Sequence, residues 1–201
     1  MYGDGSATAR YGIRTCSVVT VTEPHVATFA EIDSATLYAL LRLRCDVFIV
    51  EQECAYPDLD GRDLESGTRH VWLTSPAENA GPTDRSVGRP TAPVPAASHR
   101  AGEPASTTAG PVVLAYLRIL EERDGTVRIG RVCVARDARR AGHAATLMTA
   151  ALEAVGDRAV VLDAQRYATK LYEDAGFVPD GPEFLEDGIP HVPMRRHPRS
   201  R

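Results

Sequence analysis

Apolar residues at 37, 40, 41, 47 and 48 recur at helical spacing behind Ser34, which predicts a helix from Ser34 to about Val50. Arg44 falls on the same stripe. His70–Leu73 reads as a short strand, and Val112–Leu120 as a longer one with a nearly continuous apolar start. Asp124-Gly125 is a turn signal, so Thr126–Val134 pairs back as the second arm of a hairpin. From Ala144 to Val155 the apolar positions 144, 147, 148, 151, 152 and 155 share one helical face, and Gly156 supplies the stop. Ala159–Ala164 reads as a buried strand, and Tyr167–Ala175 as a short helix ended by Gly176. Phe184–Glu186 and Ile189–Met194 flank Asp187-Gly188, a hairpin turn. Pro190 and Pro193 predict that this last strand is an edge or a bulged one. A strand–helix–strand crossover over 127–164 among hairpins implies an α/β fold, a mixed sheet flanked by helices.

The periodicity fails over 74–111. This stretch holds seven of the chain's fourteen prolines, no aromatic residue and balanced charge, a composition that cannot bury enough apolar surface to offset ordering. It is expected to be a disordered insertion. Residues 1–20 are expected to be a weakly ordered leader and 197–201 a basic tail, around one domain over 21–196. Without the 38 inserted residues, 163 remain, a comfortable single-domain length.

Composition narrows the function classes. A net charge of −4 argues against a nucleic-acid binder. No apolar run reaches the ~20 residues that span a bilayer, and no secretory segment opens the chain. Cys16, Cys45, Cys54 and Cys133 are too scattered for a disulfide framework, and no spacing suggests zinc. Asp58-x-Asp60-Gly61-x-Asp63 lacks the remaining ligands of a calcium loop. These features lead us to expect a cytoplasmic protein with free thiols, no metal and no membrane or nucleic-acid partner, monomeric or a homodimer. The bases are 22 arginines and one lysine, Lys170, and alanines number 28, a bias expected of a GC-rich genome.

The strand-to-helix junction carries the chemistry. Val132-Cys133-Val134 runs into Arg139-Arg140-Ala141-Gly142-His143-Ala144, where the strongest helix begins. A helix start offers unbonded N–H groups and a positive dipole end, and small residues at 141, 142, 144 and 145 let an anion approach. The segment reads either as a diphosphate site or as a tight turn with solvated arginines. Gly130 inside the preceding strand reads as a bulge, which would splay this strand from Ala159–Ala164 and open a cleft, or as a weak spot in a hairpin.

Arg139-x-x-Gly142-x-Ala144 resembles the Gln/Arg-x-x-Gly-x-Gly/Ala signature of the GNAT acetyltransferase superfamily, and Leu171-Tyr172-Glu173-Asp174-Ala175-Gly176-Phe177 resembles its characteristic ending. Leu41–Gln52, Tyr56–Gly61, Arg69-His70, Ile129–Val132 and Glu186–His191 are similar to the ElaA-type branch. The resemblance covers about 30–74 and 112–196, and the insertion departs from it. It implies acetyl-CoA as donor and a splayed mixed sheet. The backbone of Val132, Cys133 and Val134 would take the pantetheine arm. Arg139, Arg140, Ala141, Gly142, His143, Ala144 and Ala145 would hold the diphosphate, with Gln165 nearby. Tyr172 would be the general acid that protonates the departing thiolate.

The residues leave other roles open. Tyr172 could equally be core packing. Cys133, mid-strand without an activating base, reads as a buried inert thiol rather than a nucleophile. A base for the acceptor amine could be Glu51, Asp58, Asp60, Asp63, His70 or His191, with Glu51 and His191 preferred. Asp58, Asp60 and His70 would face the acceptor, a small-molecule or peptide amine. Arg44 on an apolar stripe requires a carboxylate partner, which would make Asp60 or Asp63 structural. A non-catalytic acyl-CoA-binding module is the main alternative to an N-acetyltransferase. An acyl-homoserine-lactone-synthase-like enzyme is a lesser one, because few basic residues could dock a carrier protein.

Overall fold

The computed structural model describes residues 23–75 and 110–198. The leader expected over 1–20, all but the ends of the 74–111 insertion, and 199–201 of the tail lie outside the described residues. Among the described residues eight strands form one sheet: β1 (His25–Ala27), β2 (Arg69–Thr74), β3 (Val113–Glu121), β4 (Val127–Val134), β5 (Val160–Gln165), β6 (Val178–Pro179), β7 (Phe184–Glu186) and β8 (Ile189–Arg196). Their order is β1-β2-β3-β4-β5-β8-β6, with β7 also on β8. Among the described residues only β4 and β5 pair in parallel, joined by α2 (His143–Val155) as the crossover. This is the mixed α/β architecture that the alternating pattern implies. The short strands β1 and β6 carry no periodic signal of their own.

Strand alternation sends residues to two separate cores. On one face Val71, Leu73, Leu117, Ile119, Val127 and Ile129 pack against Leu147, Met148, Ala151 and Val155 of α2. On the other, Trp72, Tyr116 and Cys133 pack against Leu40, Leu43 and Val47 of α1 (Ser34–Arg44) and its extension. Each fully buried aliphatic side chain contributes about 1.5–3 kcal/mol, so the sheet is clamped from both sides.

Two local expectations are corrected. Asp33, not Ser34, caps α1, its carboxylate accepting from the N–H groups of Ala35 and Thr36 at 3.0 Å each. The α-helix ends at Arg44, and Cys45–Glu51 continues as a π-helical turn. The wider turn shifts the phase, so Val47 points into the core while Phe48 lines a cavity. Secondly, β8 is neither an edge nor bulged over His191–Arg196: it pairs there with β5 and on its other side with β6 and β7, while Ile189 and Pro190 pair with β7. In an antiparallel strand a residue's N–H and C=O point to the same neighbour. The Pro193 carbonyl accepts from the Asp180 N–H at 2.8 Å, so its missing N–H faces the loop after β6 and costs no bond to β5.

Thr74 pairs with Val113, and the Ser75 N–H donates to the Val112 carbonyl at 2.9 Å. The two ends of the insertion therefore meet as neighbouring strands.

Candidate functional site

The site begins with a bulge. Between Tyr116 and Arg118 on β3 there are two steps, against three between Gly130 and Cys133 on β4. The extra residue is Arg131, held at φ 55. The bulge resets the alternation: Ile129 and Val132 both pack on the α2 side, while Cys133 faces the α1 side. The expectation of a bulge at Gly130 is met one residue later, on a non-glycine in a costly conformation. β4 and β5 have already parted ahead of it, their register covering Val127↔Val160 and Arg128↔Val161. The free edges of 129–134 and 162–165 thus face each other across a cleft.

At the C-terminal end of β4 the chain turns through Arg140 (φ 66) and Gly142 (φ 84) into the 13-residue α2. Left-handed residues set close together turn successive N–H groups to one side, a concavity that favours anions. No side chain caps the start of α2. The first N–H groups of a helix aligned with its positive end are thus left for another acceptor, and the loop fits a diphosphate. The His143 side chain is buried beside α1, so only its backbone faces this concavity. Arg139 is occupied: its two terminal nitrogens hold the Glu51 carboxylate at 2.6 and 2.7 Å, and Nε donates to the Val134 carbonyl at 3.2 Å. These bonds hold the Glu51 carboxyl below its usual range.

A cavity of about 400 Å³ occupies the splay. Gly130, Val132, Gln165, Tyr172, Asp60 and His191 of the sequence candidates line it; Asp58, His70 and Cys133 do not. Tyr172 is buried edge-on to Phe177, and that burial pushes its phenol pKa up, so it stays protonated. His191 is 7% exposed. Its Nδ1 lies 2.9 Å from the Ile189 carbonyl, a bond it makes as donor, which leaves Nε2 as the unprotonated nitrogen of the neutral ring. Nε2 lies 4.0 Å from the Glu186 carboxylate. Cys133 is buried, and desolvation pushes its thiol up to about 12, far from the thiolate a nucleophile needs.

The acidic turn faces arginines. Arg44, fully buried, donates Nε to Asp58 at 2.9 Å and Nη1 to Asp63 at 2.8 Å. Arg118 donates to Asp60 at 2.6 and 2.8 Å and to Asp63 at 3.0 Å. Arg131 pairs with Asp58 at 2.6 Å and lies over the Tyr56 ring. The carboxylate partner that the Arg44 stripe position requires is thus Asp58 together with Asp63. Partial desolvation raises the Asp60 pKa, but its ion pairs, chiefly with Arg118, hold it down to about 2. His70 is buried, with Nδ1 2.8 Å from the Tyr116 hydroxyl, and desolvation lowers its pKa.

Three contacts that sequence reasoning missed cross the cleft beside this network. Gln52 and Gln165 exchange amide hydrogen bonds at 3.3 Å, and the Cys54 thiol reaches toward the Asp187 carbonyl at 3.9 Å. An amide pair leaves no mark in a single sequence. Arg118 did leave one, as a lone charge inside an apolar strand.

Residues 106–197 match the acetyltransferase (GNAT) domain pattern. A UPF0039 protein of Mycobacterium tuberculosis is 45% identical over 83% of this chain and 87% of its own length. Protein ElaA of Escherichia coli is 34% identical over 83% of this chain and 91% of its own. The chain belongs to the GNAT acetyltransferase family. The crystal structure of E. coli ElaA superposes at a TM-score of 0.64 with 32% identity, covering 87% of this chain and 99% of that one. That of an acyl-CoA N-acyltransferase from Pseudomonas aeruginosa gives 0.63 with 34% identity and the same coverage. The splayed strands and uncapped helix start are therefore those of a GNAT acyl-CoA-dependent N-acyltransferase. Among the described residues no helix is long and apolar enough to cross a membrane, and no three His, Cys, Asp or Glu side chains gather as metal ligands.

Proposed function

We propose that this GNAT member is an acetyl-CoA-dependent N-acetyltransferase that passes the acetyl group directly to a primary amine. The observation that supports this best is the splay of β4 and β5. Their free edges lead from the uncapped start of α2 toward a cavity lined by His191 and Tyr172.

Backbone N–H groups of Arg140 to Ala145 would hold the diphosphate, and the edge of Val132-Cys133-Val134 the pantetheine arm. An N–H of this edge aimed at the thioester oxygen would stabilise developing negative charge, an effect of about 3 kcal/mol where single donors have been removed. When bound, acetyl-CoA supplies the electrophilic carbonyl. His191 Nε2 takes the proton of the amine as the C–N bond forms. The Tyr172 hydroxyl gives its proton to sulfur as the C–S bond breaks, and burial that keeps the phenol protonated suits that task. Of the two preferred bases, Glu51 is the weaker reading, because Arg139 holds it ionised and engaged. A buried, protonated Cys133 supports direct attack over an acyl-cysteine route.

We read Asp58, Asp63 and His70 as scaffold behind the cleft and Asp60 as its acidic wall. The acceptor is a small-molecule or peptide amine. Cys45, Cys54 and Cys133 are free thiols, which fits a reducing cytoplasm, with the chain acting as a monomer or homodimer. The test is thiol release from acetyl-CoA over a panel of diamines, aminoglycosides, amino acids and peptides. Amine-dependent release is the expected result. Tight CoA binding with no release for any amine would replace the enzyme by a binding module.

A further inference from the structure

Gly130 has no structural reason to be glycine. It sits inside β4, opposite Arg118, in ordinary extended backbone outside the left-handed region. A Cβ built there would have no heavy atom within 4 Å, so no neighbour demands its absence. Glycine inside a strand weakens it, since it orders more backbone and packs nothing. What its missing side chain leaves is open space in the cleft cavity that Gly130 lines, on the face of the sheet it shares with Arg118 and Leu120.

We propose that Gly130 is a specificity-determining residue, whose vacant side-chain position admits the acyl group of the donor and sets the longest acyl chain the cleft accepts. This rests on the reading of the cleft as the acyl-CoA site. The direction of the ligand follows from the fold. The anion-binding loop lies at the C-terminal end of β4, so a ligand anchored there runs backward along the strand past Val134 and Cys133. The far end of such a ligand is its acyl group, and Gly130 is the cleft-lining position it meets after the bulge. The acceptor has another approach. A second cavity, of about 720 Å³, shares Arg62, Arg128, Leu162 and Asp163 with the first and opens toward Glu122 and Asp180. The lining is mixed: Leu120 and Leu162 can take methylene groups, each of which contributes about fourfold in affinity when buried, between the charged Asp60, Arg118, Arg128 and Arg131.

The experiment measures binding, not turnover. CoA, acetyl-CoA, butyryl-CoA and hexanoyl-CoA are titrated calorimetrically into wild type, Gly130→Ala and Gly130→Val. Wild type is expected to bind all four, the longer chains at least as tightly as acetyl-CoA. Gly130→Val is expected to keep its affinity for CoA and acetyl-CoA and to lose about tenfold or more for butyryl-CoA and hexanoyl-CoA. Its melting temperature should not fall, because a β-branched residue suits a strand. If the valine variant does not fold, Gly130→Ala carries the test, with the same ranking and a smaller loss. Unchanged chain-length preference in the variants, or rejection of butyryl-CoA by wild type, overturns the assignment and leaves the CoA site standing. Failure of wild type to bind CoA at all overturns the underlying reading and this one with it.

Discussion

At the scale of single residues, burial decides which groups can act. Tyr172, on the helix Thr169–Asp174, and Cys133, on β4, are both buried in a desolvating environment, and the same physics gives them opposite standing. A buried phenol stays a proton donor, which is what a departing thiolate needs. A buried thiol stays a thiol, which is what a nucleophile must not be. Tyr172→Phe should therefore lower kcat by about a hundredfold while leaving the dissociation constant of acetyl-CoA within about twofold. Equal kcat at saturating acetyl-CoA would remove the acid role. Because the ring edge against Phe177 is preserved in phenylalanine, the melting temperature serves as the control for packing. Both sides of this contrast could be framed from the sequence but not decided there, since a Tyr in a helix and a Cys between valines read equally as core.

At the scale of elements, the junction of β4 and α2 shows what local pattern can and cannot reveal. The small residues at 141–145 marked the helix start because their spacing is a property of the local chain. The positive φ of Gly142 follows from the same locality, since glycine favours the left-handed region. The strain at Arg131 and Arg140 was invisible, because no residue type announces it. The Glu51–Arg139 pair was equally so, since it joins positions 88 apart in sequence. Gly142→Glu should abolish CoA binding by placing a carboxylate where a diphosphate would sit. It also forces a side chain into φ 84, so the variant should lose about 1–2 kcal/mol of stability. Gly142→Asn, which tolerates that conformation and adds no charge, separates the two effects. Titration of CoA into both variants should show loss for Glu and retained, weaker binding for Asn. Equal CoA affinity in Gly142→Glu would sink the diphosphate site.

At the scale of the molecule, the acidic turn is where sequence and structure part most instructively. Clustered carboxylates read as a surface awaiting a cation, yet most of the cations they meet are the chain's own. Arg44 from α1, Arg118 from β3 and Arg131 from β4 converge on Asp58, Asp60 and Asp63, tying the helix, the turn and two central strands together. The stripe position of Arg44 predicted a carboxylate partner. The other two arginines come from strands more than 50 residues downstream, and only the fold brings them in. Such a network is a stake on the ionised state of its acids. Asp60 and Asp63 have folded pKa values below their unfolded ones, Asp60 at about 2. Their contribution is fully present above the unfolded value of about 4 and is lost as pH falls through the folded one. Urea midpoints should therefore hold level from pH 7 to about 5 and drop between pH 4 and 2. Asp60 accounts for about 1 kcal/mol of the loss after solvent screening. Arg44→Leu should cost about 3–5 kcal/mol at pH 7, because it strips buried carboxylates of a partner. It should also flatten the acid limb, since a carboxylate without its arginine has less reason to stay ionised. A variant that lost stability at pH 7 but kept the full acid limb would show that Arg44 acts by packing alone. The network would then owe its acid sensitivity to Arg118 and Arg131.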